Sequence, residues 1–307
     1  MKYIRLFEQH SEYAAAESGL TLPNVSHCVR ENDVHYKNLV FGTITVTFNV
    51  TNNEAYIIGN NQYEAAECSE INLYDSSFLS IEVDGEPFSE ERLTECKKYT
   101  FPTNGTHTVV YKVKDGVLGE NALCDLDKAT DVVLGKDVVE IKSGSLSSEF
   151  NSITFLNDNT KIECGAIYVN EDTPYENNIQ YFGPVAGRVS GSSSITSYVI
   201  KEGTKIINPH FCQEMGWVTG VTIPSTIERI CNEVFFESRN LRSVVINATT
   251  PPSIGEHVFD YVDFNEYTYE EEYRPLDVTI YVPSGSVNAY KTAPGWSDYA
   301  SKIQAIP

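Results

Sequence analysis

The sequence predicts a mainly β fold in which a small antiparallel β-sandwich precedes a solenoid of short repeats. Two observations lead to this prediction. In the C-terminal part of the chain, isoleucine and phenylalanine recur at intervals of 24 residues, which indicates a repeat architecture. In the N-terminal part, stretches of alternating apolar and polar residues are separated by turn sequences, a pattern that is typical of half-buried strands.

The clearest repeat lies near the C-terminus. The repeat isoleucines are Ile206, Ile230 and Ile254, the repeat phenylalanines are Phe211, Phe235 and Phe259, and each Ile precedes its Phe by five residues. Val199 and Ile223 each lie seven residues before the next repeat Ile. One such unit of about 24 residues cannot bury its own apolar residues, so the units are predicted to stack as coils of a solenoid.

The same spacing, seven residues and then five, occurs three times earlier in the chain. These units are Tyr111, Leu118 and Leu123; Leu134, Ile141 and Leu146; Phe155, Ile162 and Ile167. Six coils are therefore predicted, anchored at positions 118, 141, 162, 206, 230 and 254. The long step from 162 to 206 indicates an insertion near 168–197, whose Gly- and Ser-rich part at 183–197 is expected to be a loop.

The segment VTIPSTIERICNEVFFESRNLRSVVI, which begins at Val221, resembles the BspA-like leucine-rich repeat family. The closing segment, including IYVPSGSVNAYKTAPGWSDYASKIQAIP, is similar to the terminal cap of such proteins in gut bacteria and their phages. The resemblance covers 111–307 and implies a solenoid with a C-terminal cap at 278–307 that serves as a binding scaffold. The small Ala that precedes Phe in the family corresponds here to His210, Val234 and Val258, which suggests reshaped coils.

Residues 39–110 are predicted to form the sandwich, of the immunoglobulin-like kind. Residues 42–50 alternate apolar and polar side chains, and residues 80–83 precede an Asp84-Gly85 hairpin turn. Residues 108–113 form another predicted strand after the Asn104-Gly105 turn. The segment YTFPTNGTHTVVYKVKDG resembles the β-domain that often precedes these repeats, and its last strand is expected to run into the first coil.

Residues 1–38 are predicted to form a separate attachment segment, with a short helix at 8–18 and a hairpin at 24–37. The stretch LFEQHSEYAAAESGLTLPNVSHCVRENDVHY resembles the N-terminal segment of structural proteins in phages and prophages of gut bacteria. This resemblance implies docking on another virion protein, and the candidate anchoring residues are Tyr3, Phe7, Tyr13, Val25 and Tyr36. The alternative is a small cap over the first edge of the sandwich.

The charge balance excludes some partners. The chain has 22 basic and 43 acidic residues and a formal charge of −21, which argues against binding nucleic acid or an anionic membrane. No apolar run is long enough to span a bilayer. The first residues lack the apolar run and cleavage site of a secretory signal, so we expect a protein that is kept or packaged in a cytoplasm. The seven cysteines, without any Cys-x-x-Cys pair, are expected to be free thiols.

Catalytic and metal-binding motifs are absent from the sequence. There is no His-Glu-x-x-His, Walker A, Gly-x-Gly-x-x-Gly or Gly-x-Ser-x-Gly pattern. His27 and His35 are expected to be a surface pair and not a metal site. No pair of carboxylates stands out as the acid and base of a glycosidase. We therefore predict a protein that is not an enzyme, with no cofactor, no catalytic residue and no metal.

One acidic, tyrosine-rich segment interrupts the repeat. Residues 261–277 carry six acidic residues and one Arg, a net charge of −5. The candidate binding residues in this segment are Tyr261, Phe264, Tyr267, Tyr269, Tyr273 and Arg274. Tyrosine supplies a large contact area at a low entropic cost, as in known binding loops. The alternative is a solvated loop whose aromatic side chains fold back on the last coil.

These expectations favour a structural or adhesion protein. The first hypothesis is a phage virion component of the fibre or decoration type, assembled in the host cytoplasm. It would be anchored to other virion proteins by its N-terminus, would bind a host-surface protein or glycan through its repeats, and would be present as a homo-oligomer or in many copies. The second hypothesis is a BspA-like adhesin on a bacterial cell surface. A glycan-acting enzyme is a weaker alternative.

Overall fold

The computed structural model describes residues 41–59, 78–94, 98–147, 150–168, 179–189, 195–265 and 270–307. The predicted attachment segment and all its anchoring residues lie outside this part of the chain, as do His27, His35, Tyr267 and Tyr269. The chain divides into two compact units, residues 1–170 and residues 171–307. In the described part of the chain, no helix combines the length and the apolar character that crossing a membrane requires.

Strands make up most of the regular structure. In chain order they are β1 (Phe41–Val50), β2 (Glu54–Ala55), β3 (Phe78–Val83), β4 (Glu86–Pro87), β5 (Tyr99–Thr100), β6 (Gly105–Lys114), β7 (Val117–Leu118), β8 (Ala129–Leu134), β9 (Glu140–Ile141), β10 (Leu146–Ser147), β11 (Ser152–Phe155), β12 (Lys161–Ile162) and β13 (Ile167–Tyr168) in the first unit. The second unit contains β14 (Ile179–Phe182), β15 (Val185–Val189), β16 (Ser197–Val199), β17 (Ile206–Ile207), β18 (Gly220–Ile223), β19 (Arg229–Ile230), β20 (Ser243–Ile246), β21 (Ser253–Ile254), β22 (Asp260–Asn265), β23 (Glu270–Pro275), β24 (Thr279–Val282) and β25 (Ile303–Ala305). Helical turns lie at Glu90–Arg92, Ser284–Ser286, α1 (Val287–Thr292) and Trp296–Lys302.

The first unit contains a six-stranded sheet in the order β11-β8-β1-β6-β3-β4. The three strands that alternation predicts near 42–50, 80–83 and 108–113 are confirmed as β1, β3 and β6. Strand β1 pairs antiparallel with β6 along its whole length, and its alternate residues from Gly42 to Val50 are buried. Asp84 and Gly85 form the predicted turn, both with positive φ.

The predicted immunoglobulin-like sandwich is not confirmed. Besides the six-stranded sheet, the described residues of this region add only the two-stranded sheet of β2 and β5. Strand β1 pairs with β6 on one side and with β8 on the other, so the large sheet continues into strands that the repeat pattern assigns to the coils. The predicted boundary between 110 and 111 falls inside β6.

The repeat units of the first unit have the register that the spacing predicts. Strands β7, β9 and β12 pair in parallel and align Leu118, Ile141 and Ile162. Leu134 aligns with Phe155, and Leu146 with Ile167. Tyr111 is the exception. It lies in β6, and β1 separates β6 from β8 in the sheet, so Tyr111 does not align with Leu134.

The second unit stacks its coils through two five-stranded sheets. One has the order β16-β18-β20-β24-β25, and all its strands are parallel. The other has the order β14-β15-β17-β19-β21. Counting both units, the chain has about seven solenoid turns.

One of these turns replaces the predicted insertion. Strands β14 and β15 form a hairpin, and β15 then pairs in parallel with β17, which places Ala186 beside Ile207. Part of the segment at 183–197 that was expected to be a loop is therefore a strand of an additional coil. This region escapes the repeat pattern because Ala takes the position of the repeat Ile.

The register of the second unit differs from the predicted one by one residue in the coil that contains Ile206. Ile207, and not Ile206, aligns with Ile230, and Val199 aligns with Thr222 and not with Ile223. The first step is therefore 23 residues and the next, from Ile230 to Ile254, is 24.

The shift follows from a pair of adjacent buried positions. Phe211 and Cys212 hold the places of Val234 and Phe235 in the next coil, and all four side chains are fully buried. The large residue is the first of the two in one coil, Phe211, and the second in the next coil, Phe235. The spacing between phenylalanines alone therefore predicts a register that is wrong by one residue. The residue that takes the place of the family's small Ala is therefore Phe211, and not the predicted His210.

A left-handed residue recurs three positions after six of the repeat anchors, with Ile207 as the anchor of its coil; the coil that contains Ala186 lacks it. Asn121, Gly144 and Gly165 have positive φ in the first unit, and His210, Glu233 and His257 have it in the second. Non-glycine residues in this region cost on the order of 1–3 kcal/mol each, and the surrounding structure must hold them there. At His257 this turn comes directly before the inserted segment, and the His257 ring contacts Tyr273.

The last coil is closed by a cap, as repeat architectures require at their ends. Trp296 and Tyr290 are fully buried, and their polar atoms donate to backbone carbonyls of the preceding coil. Trp296 Nε1 donates to Pro252 at 2.7 Å, and the Tyr290 hydroxyl donates to Ala248 at 2.9 Å. These bonds satisfy the only polar atoms of two large side chains that cover the end of the core.

The described cysteines do not all have the predicted state. Cys124 and Cys212 are buried thiols. Cys164 and Cys231 are disulfide-bonded, which corrects the expectation of free thiols at these two positions.

Candidate binding surface

The segment that interrupts the repeat is a β-hairpin inserted into the last coil. Strands β22 and β23 pair antiparallel over six residues each, from Asp260 opposite Pro275 to Asn265 opposite Glu270. The Leu276 amide donates to the Phe259 carbonyl at 2.7 Å and closes the base of the hairpin. Both of these residues are buried, so the hairpin emerges directly from the core of the coil.

Two side chains of the preceding coil attach the hairpin to the solenoid. Oε1 of Glu237 accepts from the Val262 amide at 2.7 Å, and Nη2 of Arg239 donates to the Val262 carbonyl at 2.7 Å. Glu237 and Arg239 also pair with each other, with Nε 2.6 Å from Oε2 and Nη2 3.1 Å from Oε1. Both backbone polar groups of Val262 are thus satisfied by one ion pair.

The electrostatics of this ion pair favour its charged form. Burial raises the pKa of Glu237, but the hydrogen bonds from Arg239 and from the Val262 amide outweigh it and leave the pKa below its usual value. The same hydrogen bond raises the pKa of Arg239. Charge-assisted hydrogen bonds are stronger than neutral ones, which makes this pair a firm base for the hairpin.

One face of the hairpin carries charged residues and a tyrosine. Tyr261 and Arg274 are opposite each other in the register, and so are Asp263 and Glu272. The Arg274 guanidinium lies 3.1 Å from Asp263 and 2.9 Å from Glu272. The Arg239 guanidinium lies over the ring of Tyr261, with Cζ 4.4 Å from the ring centroid. Tyr261 therefore contributes to the attachment of the hairpin. In this respect it behaves as in the alternative interpretation, in which the aromatic side chains of the segment fold back on the coil.

The other face carries Val262, Phe264 and Tyr273. The register places Val262 opposite Tyr273 on this face. The Tyr273 ring is stacked on His257, with centroids 3.9 Å apart, and lies 6.1 Å from the ring of Phe236. Tyr273 is nevertheless 49% exposed and Phe264 is 51% exposed. The face is thus supported by the solenoid and still open to solvent.

His257 is positioned by a polar chain that leads into the cap. Its Nδ1 lies 3.1 Å from Oδ2 of Asp260, and Oδ1 of Asp260 accepts from the Tyr299 hydroxyl at 3.1 Å. Burial raises the pKa of Tyr299 far above its usual value, which keeps this hydroxyl a donor. The platform under Tyr273 is therefore fixed from two sides, by the left-handed backbone of His257 and by Asp260.

The predicted site residues divide into three groups. Tyr261 and Arg274 share one face and form contacts within the hairpin or with the coil, while Phe264 and Tyr273 are the exposed aromatics. Tyr267 and Tyr269 lie outside the described residues. Their role in binding stays a prediction.

The pattern of the segment itself does not reveal four residues that support it. Glu237, Arg239, Phe236 and His257 all come from the preceding coil or the turn before the hairpin. A signal exists in the repeat, because Glu237 and Tyr261 occupy equivalent positions of neighbouring coils and neighbouring coils stack. Only the register makes this adjacency visible.

A second exposed surface is the outer face of the sheet that contains β16, β18, β20 and β24. Its outward positions form one row of small residues and one row of larger ones. The rows are Ser197, Gly220, Ser243 and Thr279, and Val199, Thr222, Val245 and Tyr281. None of these eight residues is charged, although the chain carries a charge of −21. Depletion of charge is a property of interface centres.

Comparison with known proteins finds one family match, in the second unit. Residues 189–282 match the family model described as the BspA type leucine rich repeat region (6 copies). The match begins at the last residue of β15 and ends with β24, so it includes the hairpin β22–β23. No curated protein matches the chain significantly. The repeats form a non-enzymatic, binding type of fold, and no enzymatic family is indicated.

Proposed function

We propose that this chain is a non-enzymatic adhesion protein that binds a surface protein or glycan through the coils of its second unit and the hairpin β22–β23. The observation that carries the proposal is the combination of rigid attachment and exposed aromatic area in the hairpin. Phe264 and Tyr273 are half exposed on a strand pair whose base is held by Glu237 and Arg239. Exposed aromatics on a preorganised base lose little entropy when they bind.

The repeat match supports the same conclusion at the level of the fold. Repeat solenoids offer broad and rigid surfaces to partners. The outer face of the sheet that contains β16, β18, β20 and β24, with its two uncharged rows, lies in the same unit as the hairpin and adds area for contact. The match to a repeat family does not identify the ligand, because a fold does not determine its function.

The binding test uses the full chain and two matched double variants. Fluorescently labelled protein is titrated on a panel of bacterial cells and on a glycan array. We expect Phe264→Ser with Tyr273→Ser to weaken binding at least about tenfold, because buried aromatic anchors usually carry most of the binding energy. The control is Val139→Ser with Leu156→Ser, which changes two hydrophobic residues of similar exposure in the first unit. Equal loss in both variants, or no binding to any target by the wild-type chain, contradicts the proposal.

For the place of display we propose the virion of a phage of gut bacteria, on the resemblance of residues 1–38 alone. A BspA-like adhesin on a bacterial cell surface is the alternative, and the repeat match is compatible with it. Sedimentation distinguishes the two, since an antibody against this chain detects it either in purified particles or in the cell envelope fraction. We expect it in the particles, and its restriction to the envelope overturns the virion proposal.

A further inference from the structure

The two long edges of the hairpin β22–β23 differ in what covers them. We propose, on the basis of the function proposed above, that the outer edge of β23 takes up an extended, basic segment of a partner protein as a third strand. The occupant is therefore a polypeptide rich in Lys or Arg, and the contact is a strand addition.

The backbone polar groups of Val262, on the outer edge of β22, already bond to side chains of the solenoid. The Val262 amide donates to Glu237, and the Val262 carbonyl accepts from Arg239, so neither group points towards β23. In an antiparallel pair, residues whose N–H and C=O both point away from the partner strand form a non-hydrogen-bonded pair. The pair of Val262 and Tyr273 is of this type.

The register then decides what the edge of β23 presents. At a non-hydrogen-bonded pair the N–H and C=O of Tyr273 point outward, and the alternation gives Glu271 and Pro275 the same orientation. Pro275 fits this register, because a proline on an edge strand is tolerated where its missing N–H would face outward. Within the described part of the chain, β23 pairs with β22 and with no other strand. In this register Glu271 and Tyr273 turn two donors and two acceptors outward, and no other described strand pairs with them.

The charge of the hairpin selects the partner. Residues 260–275 contain six acidic residues and one Arg, three of the acids being the consecutive Glu270, Glu271 and Glu272 at the start of β23. Like charges directly opposite each other destabilise a strand pair, and opposite charges stabilise it. Two copies of this edge would bring two strongly acidic hairpins together, so a second copy of the chain is disfavoured and a basic strand is favoured.

The exposed face of Tyr273 adds a contact for a cationic side chain. One face of the ring is covered by His257, and about half of the residue remains exposed. A Lys or Arg of the added strand, directly opposite or diagonal to Tyr273, can reach this ring. The chemistry of the edge thus combines backbone donors, carboxylates and an aromatic face.

The experiment measures peptide binding by fluorescence anisotropy with the full chain. The probe is a labelled, terminally blocked peptide, Lys-Thr-Lys-Val-Lys-Thr-Lys-Val, and the control probe has Glu in place of each Lys. We expect the Lys peptide to bind, more weakly at high salt because charges beyond the Debye length are screened, and the Glu peptide not to bind. Failure of the Lys peptide to bind, or equal binding of both peptides, overturns the inference.

Two variants separate the backbone from the ring. Tyr273→Ala removes the ring and keeps the outward N–H, whereas Tyr273→Pro removes both at a position whose N–H does not bond to β22. We expect Tyr273→Pro to bind the Lys peptide about fivefold more weakly than Tyr273→Ala, the order of effect of one net hydrogen bond. Equal affinity of the two variants, with unchanged thermal unfolding, overturns the strand addition.

This result is distinguishable from failure of the proposed adhesion. If Phe264→Ser with Tyr273→Ser abolishes cell binding while Tyr273→Pro and Tyr273→Ala bind the Lys peptide equally, the adhesion proposal stands and the strand addition falls. Sedimentation of the wild-type chain tests the remaining occupant. A concentration-dependent dimer that Tyr273→Pro abolishes would assign the edge to a second copy and overturn the inference.

Discussion

Arg239 lies two residues after Glu237 in the same coil, and the two side chains together bind both backbone groups of Val262 in the inserted hairpin. Adjacent coils of a solenoid usually interact through equivalent strands. Here the two side chains hold an insertion that the described coils anchored at Ile207 and Ile230 lack. The stability of the hairpin therefore depends on residues that precede it by about one repeat.

We expect Arg239→Leu to loosen the hairpin. The change removes the hydrogen bond to Val262, the ion pair with Glu237 and the contact with Tyr261, and should cost about 1 kcal/mol, since each surface contact is small on its own. Amide hydrogen exchange at 260–265 should become faster by a larger factor than exchange in β18 and β20. The control is Arg274→Leu, whose ion pairs are exposed. An equal effect of Arg274→Leu on exchange would contradict a special role for Arg239.

The pKa of Glu237 predicts the pH dependence of this attachment. Its pKa is lower in the folded state than its usual value of 4.5, so the carboxylate contributes stability above that pH. This stability is lost as the pH falls below 4.5 towards the folded pKa. At pH 6.5, urea unfolding should give Glu237→Gln a lower midpoint than the wild type and a free energy of unfolding that is about 1–2 kcal/mol smaller. The gap should shrink at pH 3.5. A gap that is constant with pH would show that the charge of Glu237 is not the cause.

The register of the coil that contains Ile206 can be tested by a matched pair of neighbouring substitutions. Tyr198 is 5% exposed and Val199 is 72% exposed. We expect Tyr198→Ala to cost about 3 kcal/mol or more, as large aromatic truncations in cores do. Val199→Ala should stay within about 0.5 kcal/mol. Chemical unfolding measures both. A larger effect of Val199→Ala would support the register in which Val199 aligns with Ile223.

Cys212 is predicted to be unreactive in the folded chain. It is fully buried, and burial raises its pKa to about 12. The thiolate is the reactive form, so at pH 8 alkylation by iodoacetamide should require unfolding. Mass spectrometry of labelled peptides, with and without urea, measures the modified fraction. Rapid labelling in the absence of urea would contradict the position of Cys212 in the core.

The inserted hairpin was visible in the sequence as an interruption, and its aromatic and acidic composition marked it as a candidate surface. Its attachment was not visible, since Glu237 and Arg239 look like ordinary exposed charges of the preceding coil. The contact with Val262 depends on which residues lie side by side in neighbouring coils. The roles of Tyr261 and Tyr273 also differ only because one faces Arg239 and the other faces His257.

The sequence alone determined the repeat in six of the coils and the strands β1, β3 and β6, because both follow from local spacing. Apolar residues at intervals of seven and five identify a coil, and alternation identifies a strand. Neither pattern depends on which segment of the chain pairs with it. This spacing identifies the coils at 118, 141 and 162, although their sequences depart from the family's repeat pattern.

Only the tertiary structure decided the exact register and the neighbours in the sheets. Two adjacent turn positions both face the core, so Phe211 with Cys212 and Val234 with Phe235 fill equivalent space in opposite order, and spacing cannot tell these arrangements apart. In the same way, the insertion of β1 between β6 and β8 depends on hydrogen bonds between strands far apart in the chain. Local pattern sets which face of a strand is apolar, whereas packing over long distances selects the strand beside it.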